Sequence, residues 1–182
     1  MTDMNRALCE TLNQGATKAT VISTSDIVLS EKFYDICASN SCGKFGHGWV
    51  CPPDSGDIFT LMDKVRSYSN GILYQTIVDI EDSFDIEGMS EGAKLHAQLS
   101  QKIRKNVEPL LGDDTMHLSC GGCNLCTKCS KIDNEPCRHP DMALLSMECC
   151  GIDVYNTTKP TDLKYINGQN TVTFFGLVLF NE

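Results

Sequence analysis

Five of the chain's 11 cysteines lie in the 18 residues from Cys120 to Cys137. An even spread over 182 residues would place about one there. They read Cys120-Gly-Gly-Cys123-Asn-Leu-Cys126-Thr-Lys-Cys129, with Cys137 following after seven residues. Thiols at every third position of a glycine-led loop can converge on one polynuclear centre. A [4Fe–4S] cube needs four soft, deprotonated ligands; a C-x2-C-x2-C run reaches three irons and a more distant cysteine takes the fourth. Cys123, Cys126, Cys129 and Cys137 are therefore the first candidate ligand set, with Cys120 as a further candidate ligand. Gly121 and Gly122 permit positive φ and leave backbone N–H groups free to bond cluster sulfurs. Zinc is the competing cofactor, because C-x2-C pairs also build four-thiolate zinc knuckles, although zinc sites usually offer two separated pairs. A redox dithiol is a third alternative.

A second set is Cys37-x4-Cys42-x8-Cys51-Pro52-Pro53, on a stretch that also carries Gly43, Gly46, Gly48 and Trp49. Three ligands here can hold a second cluster whose fourth iron takes Cys120, a non-cysteine group or a substrate. The bland alternative is three reduced thiols in a glycine-rich loop. Cys149 and Cys150 are adjacent and would point about 100° apart on a helix, so at most one faces the cluster loop. We take them as small buried hydrophobes, with one ligand or a redox pair as alternatives. Cys9 belongs to an amphipathic helix over Asn5–Leu12 and is a packing residue. His47 and His139 lie inside the cysteine motifs, as ligands or as donors to sulfur, whereas His96 and His117 are ordinary scaffold. Lys128 and Arg138 would offset the negative charge of a four-thiolate cluster. The acidic run Glu81, Asp82, Asp85 and Glu87 is solvated surface.

The elements that must position these loops follow from periodicity. Ile58, Leu61, Met62 and Val65 predict a short helix over Asp57–Arg66. Gly71–Ile80 is apolar and β-branched after a turn and predicts a buried strand. Leu95, Leu99, Ile103, Val107 and Leu110 place one apolar face on a helix over Ser90–Leu111, ended by Gly112-Asp113-Asp114. Met116–Ser119 is a brief strand that delivers the chain into Cys120. Asp141–Cys150 reads as a short helix and Thr171–Phe180 as a final strand. Helices mixed with strands without strict alternation predict an α+β fold, a small mixed sheet packed with helices, as a single domain over residues 1–182. Its two cysteine-rich metal-binding loops span about 37–53 and 120–140.

Composition limits the rest. Hydrophobic residues make up 41% and charged residues 21%, ordinary values for a folded domain. The formal charge of −9 argues against a surface that coats nucleic acid or membrane. Residues 1–20 hold no apolar run, and Val172–Phe180 is about half the length of a membrane span, so neither a secretory signal nor a span is expected. A cytoplasmic location follows, where clustered cysteines hold metal more often than disulfides. No G-x-G-x-x-G, P-loop or H-E-x-x-H motif is present.

Taken in order, the motifs resemble a known family of predicted metal-binding proteins, domain of unknown function 2284. The resemblance runs through Cys37 and Cys42 into Phe45-Gly-His-Gly-Trp-Val-Cys-Pro-Pro53, then Glu81-Asp-Ser-Phe-Asp85 and Gly122-Cys123-x2-Cys126-x2-Cys129. It closes with Pro136-Cys-Arg-His-Pro140, Ser146-Met-Glu148 and Gly151-Ile-Asp-Val154, and so covers roughly residues 30–180. The resemblance implies metal ligands at Cys123, Cys126, Cys129 and Cys137 and at Cys37, Cys42 and Cys51, without implying a reaction. Cys120 and the Cys149-Cys150 pair depart from its pattern. Three functions remain open. The first is an iron–sulfur electron carrier or accessory protein of redox or anaerobic metabolism, serving a protein redox partner. The second is an enzyme whose open iron acts on a small-molecule substrate, and the third is a zinc-stabilised interaction module.

Overall fold

The computed structural model describes residues 3–181. In chain order its elements are helix α1 (Asp3–Asn13), strand β1 (Lys18–Ser23), helix α2 (Lys32–Ala38), helix α3 (Ile58–Arg66), strand β2 (Asn70–Asp79) and helix α4 (Ile86–Asn106). Strands β3 (Thr115–Ser119) and β4 (Leu145–Ser146), helix α5 (Val154–Thr158) and strand β5 (Thr171–Phe180) complete it. The strands form one mixed sheet in the order β1-β2-β5-β3-β4, antiparallel except for the parallel β3–β4 pair. The fold is the α+β arrangement that the mixed patterning predicts.

Alternation along the two long apolar strands divides the core between the sheet's two faces. Ile72, Tyr74, Val178 and Phe180 pack with Ala7 of α1 and with Leu99 and Ile103 of α4. Leu73, Phe175, Leu177 and Leu179 pack with Val65 of α3, Met147, Cys150 and Val154 of α5. Helix α3 starts where expected, because the Asp57 carboxylate accepts from the backbone N–H of Thr60 at 2.9 Å. Helix α4 starts four residues before Ser90, because Asp85 caps it by accepting from the N–H of Gly88 at 2.7 Å.

Two expectations are corrected. The buried stripe of α4 is Gly92, His96, Leu99, Ser100 and Ile103, whereas Leu95 is 46% exposed. Polar contacts turn the helix: His96 meets the carbonyl of Phe175 at 3.0 Å and Thr76 at 2.9 Å, and Ser100 meets the Tyr74 hydroxyl at 2.8 Å. The second correction is Asp141–Cys150, which forms no α-helix. Leu145 and Ser146 pair in parallel with Leu118 and Ser119, and a 3-10 turn over Glu148–Cys150 follows, closed by Gly151 at φ +74. Sheet pairing at the β3 edge overrides the local helical signal.

His96 and His117 are scaffold, as expected. Tyr74 Oη meets His117 Nε2 at 2.7 Å, and His117 Nδ1 meets Glu108 at 2.6 Å. Burial pulls His96 down to about 4, and His117 is also held low, by burial. From about pH 6.5 down to 4 the unfolded chain binds a proton at His96 that the folded chain refuses, so stability falls with pH across that window. The loss is expected to approach about 3 kcal/mol from His96 alone. Urea unfolding midpoints measured from pH 7 to pH 4 should drop in the native protein and drop less in His96→Gln; parallel profiles would contradict this.

Candidate metal centre

The parallel β3–β4 pair makes the chain leave both strands at one end of the sheet. The loop that opens at Cys120 therefore lies beside the turn Glu148–Cys150, and the N–H of Met147 donates to the carbonyl of Ser119 at 2.9 Å. A strap then brings the amino-terminal cysteines to the same end. Ser30 N–H donates to Gly151 O at 2.7 Å, Asp153 N–H donates to Val28 O at 2.8 Å, and Leu29 bridges Ile152. Helix α2, which carries Cys37, follows directly from the strap.

In the carboxyl-terminal set, Cys123, Cys126 and Cys129 line one cavity of about 230 Å³ together with Gly43, Lys44 and His47. Cys137 lies close enough for its charge to act on the Cys123 thiol, as do those of Cys126 and Cys129. All four thiols are half-buried. Burial pushes Cys123 up, and the backbone N–H of Leu125, donating to its sulfur, opposes this. Gly121 adopts φ +64, as the glycine-led loop requires. Beyond Cys129 the 3-10 turn Ser130–Asp133 ends at Asn134 in the left-handed region, φ 56. Arg138 donates to the carbonyl of Lys128 at 3.0 Å and ties the segment around Cys137 to the x2 run.

The amino-terminal set is drawn together with a residue that periodicity assigned to packing. The thiols of Cys37 and Cys51 each share a hydrogen bond with Cys149, and the charge of Cys42 acts on both Cys37 and Cys51. Burial, followed by the charges of Cys149 and Cys42, pushes Cys37 up to about 11. The contact with Cys149 and burial also hold the proton on Cys51, and the same contact pulls Cys149 down to about 7. The Ser146 hydroxyl donates to Cys149 Sγ at 3.2 Å, and Cys149 Sγ lies 3.5 Å from the carbonyl of Val50. No local signal marks Cys149, because its partners precede it by about a hundred residues.

The two cysteine loops are fastened to each other. Trp49 Nε1 donates to the carbonyl of Glu135 at 3.0 Å, and Lys131 Nζ sits 4.3 Å above the Trp49 ring while pairing with Asp54. A Cβ built on Gly122 would stand 3.1 Å from Lys44 Cγ, a measure of how closely the loops approach. Glu148 is buried, which raises its carboxyl, and its charge acts on the thiols of both Cys37 and Cys120.

The remaining candidates are placed elsewhere. Cys120 is half-buried, with its thiol raised by burial to about 12, and the charge that acts on it is Glu148's. It borders, with Cys123, a larger cavity of about 640 Å³ backed by His96, Ser100 and Phe174. Cys150 is fully buried in the core, and Cys9 is exposed on α1. His47 borders the smaller cavity, and His139 is exposed.

Among the described residues, no three His, Cys, Asp or Glu side chains are arranged as ligands of a single ion. The thiols of the carboxyl-terminal set instead line a cavity. One zinc requires every sulfur about 2.3 Å from one point, whereas a polynuclear cluster lets each thiol reach its own iron. The donor chemistry fits such a group: soft thiols, a half-buried setting and N–H groups directed at sulfur.

An α+β scaffold that gathers two cysteine-rich loops at one end of its sheet defines a cysteine-rich protein of the predicted metal-binding class. The chain belongs to the family described as predicted metal-binding protein, DUF2284, which matches residues 20–180. No curated protein and no solved structure matches it. Among the described residues no helix is long and apolar enough to cross a membrane.

Proposed function

We propose that this is a cytoplasmic iron–sulfur protein that holds a [4Fe–4S] cluster on Cys123, Cys126, Cys129 and Cys137 and serves another protein as a redox carrier or accessory subunit. The observation that carries this reading is the shared cavity: the three thiols of the x2 run line it, and Cys137 lies within electrostatic reach. Bound there, the cluster would supply reversible one-electron chemistry. The chain's part is to hold and tune. The Leu125 N–H is directed at the Cys123 sulfur, and Lys44 and Lys128 border the same cavity, where their charge opposes that of four thiolates. A net charge of −9 suits docking to a basic patch on the partner. Reduction with dithionite under exclusion of oxygen, followed by electron paramagnetic resonance, is expected to yield a one-electron signal from this cluster, a component that Cys129→Ala removes. A metal centre that stays silent on reduction would overturn the reading.

The cavity of about 640 Å³ beside Cys123 favours a second reading, an enzyme acting on a small substrate. The two differ in whether small ligands perturb the spectrum of the bound centre, which the carrier reading does not expect.

A further inference from the structure

We infer that Cys149 is the fourth ligand of a second metal centre, completing the set of Cys37, Cys42 and Cys51. The centre belongs to the thiolate-bound iron–sulfur class, in which each sulfur reaches its own iron, and its thiols are distinct from those of the carboxyl-terminal set.

Four soft donors meet here from three parts of the chain: Cys37 from α2, Cys42 and Cys51 from the loop after it, and Cys149 from the turn after β4. The Cys149 thiol is within hydrogen-bonding reach of those of Cys37 and Cys51, and the charge of Cys42 acts on the same two. A pure packing role is filled by its neighbour. Cys150 is 0% exposed and lies in the apolar core with Ile27, Val65 and Ile152, whereas Cys149 is outside that cluster. The partners of Cys149 are polar: the Ser146 hydroxyl, the Val50 carbonyl and the Cys51 thiol. An adjacent pair divides the work, one sulfur directed into the core and the other toward the thiol cluster.

The backbone is committed to this placement. Gly151, which closes the turn, stands at φ +74, where a Cβ would meet Met62 Cγ at 2.9 Å and the carbonyl of Ser30 at 3.2 Å. The turn is thereby pressed between α3 and the strap that leads into α2, so that Cys149 is presented to Cys37. Transfer of a preformed cluster to such a site needs no oxidant or reductant: bonds from iron to the four protein sulfurs replace those to the donor's ligands, and the thiol protons pass to those ligands or to solvent. The fourth position, which the sequence leaves open between Cys120, a non-cysteine group and a substrate, thus goes to a cysteine of this chain.

The full-length protein, produced and purified without oxygen, tests this through iron, zinc and acid-labile sulfide per chain. Cys149→Ser and Cys51→Ser should lose the same metal in the same amount, about four iron with four sulfide for a cube. Cys150→Ala, which alters the core but not the thiol cluster, should retain all of it. Serine at position 149 keeps nearly the size of the thiol, and circular dichroism confirms folding. Full metal in Cys149→Ser beside a loss in Cys51→Ser would overturn the inference. So would no loss in either variant, or a Cys51–Cys149 disulfide found in the unreduced native protein. Cys126→Ala reports on the other set alone, so failure of the carboxyl-terminal cluster shows as an unchanged Cys126→Ala and leaves the Cys149 result readable.

Discussion

Cys126→Ala is expected to lose about four iron and four sulfide per chain, together with the visible absorbance they carry. Cys126 is the middle thiol of the x2 run and lines the same cavity as Cys123 and Cys129, so its removal leaves one iron corner without a protein ligand. Cys120, outside the cavity that Cys126 lines, is held protonated by burial, which raises it to about 12. His139→Ala, at an exposed position, should leave the metal content unchanged. Metal analysis and absorbance of the two variants, purified side by side without oxygen, decide the matter. A full complement of metal in Cys126→Ala would contradict the assignment.

The largest effect on stability is expected from Gly176→Ala. Gly176 lies in β5 directly across from Tyr74 of β2. A Cβ at that position would fall 2.1 Å from Tyr74 Cζ and 2.2 Å from its hydroxyl. The ring has nowhere to go, because its hydroxyl is held by Ser100 at 2.8 Å and by His117 at 2.7 Å beneath α4. The variant must either displace the ring and break those buried hydrogen bonds or push the strands apart, at an expected cost of about 3 kcal/mol. Urea denaturation measures it. Tyr74→Leu should destabilise the native chain but add little further loss to Gly176→Ala, since the clash and the network are removed together. A Gly176→Ala midpoint equal to the native one would show that the sheet accommodates the methyl group.

Legibility of the sequence tracks the range of the interactions. The central strands β2 and β5 and helix α3 were readable, because each carries its own apolar pattern or cap within ten residues. Strand β1 was missed: Lys18–Ser23 has a single buried residue, and it is a strand because β2 offers it an edge. Asp141–Cys150 was misread for the same reason, since its backbone is recruited by β3. The stripe of α4 was rotated by His96 and Ser100, polar residues that apolar periodicity discounts and that are buried here by partners on β2 and β5.

The cysteine sets divide along the same line. The x2 run announces itself, because three thiols share one loop, and the structure gathers them about one cavity. Cys37, Cys42 and Cys51 were visible as a group, whereas Cys149 was read first as a small buried hydrophobe, with a ligand role only as an alternative. Its role is written in the strap between residues 28–30 and 151–153 and in a parallel strand pair, neither of which leaves a periodic mark. Trp49 and Lys131, which fasten one cysteine loop to the other, are equally silent in the sequence.

Iron, zinc and acid-labile sulfide per chain, determined on protein purified without oxygen and paired with a visible spectrum before and after dithionite, test the central claim most directly. Iron and sulfide in equal amounts are expected, about four of each for every occupied cluster site, with absorbance that bleaches on reduction. Zinc without sulfide, in a colourless protein indifferent to dithionite, would contradict the iron–sulfur reading and leave a metal-stapled interaction module in its place.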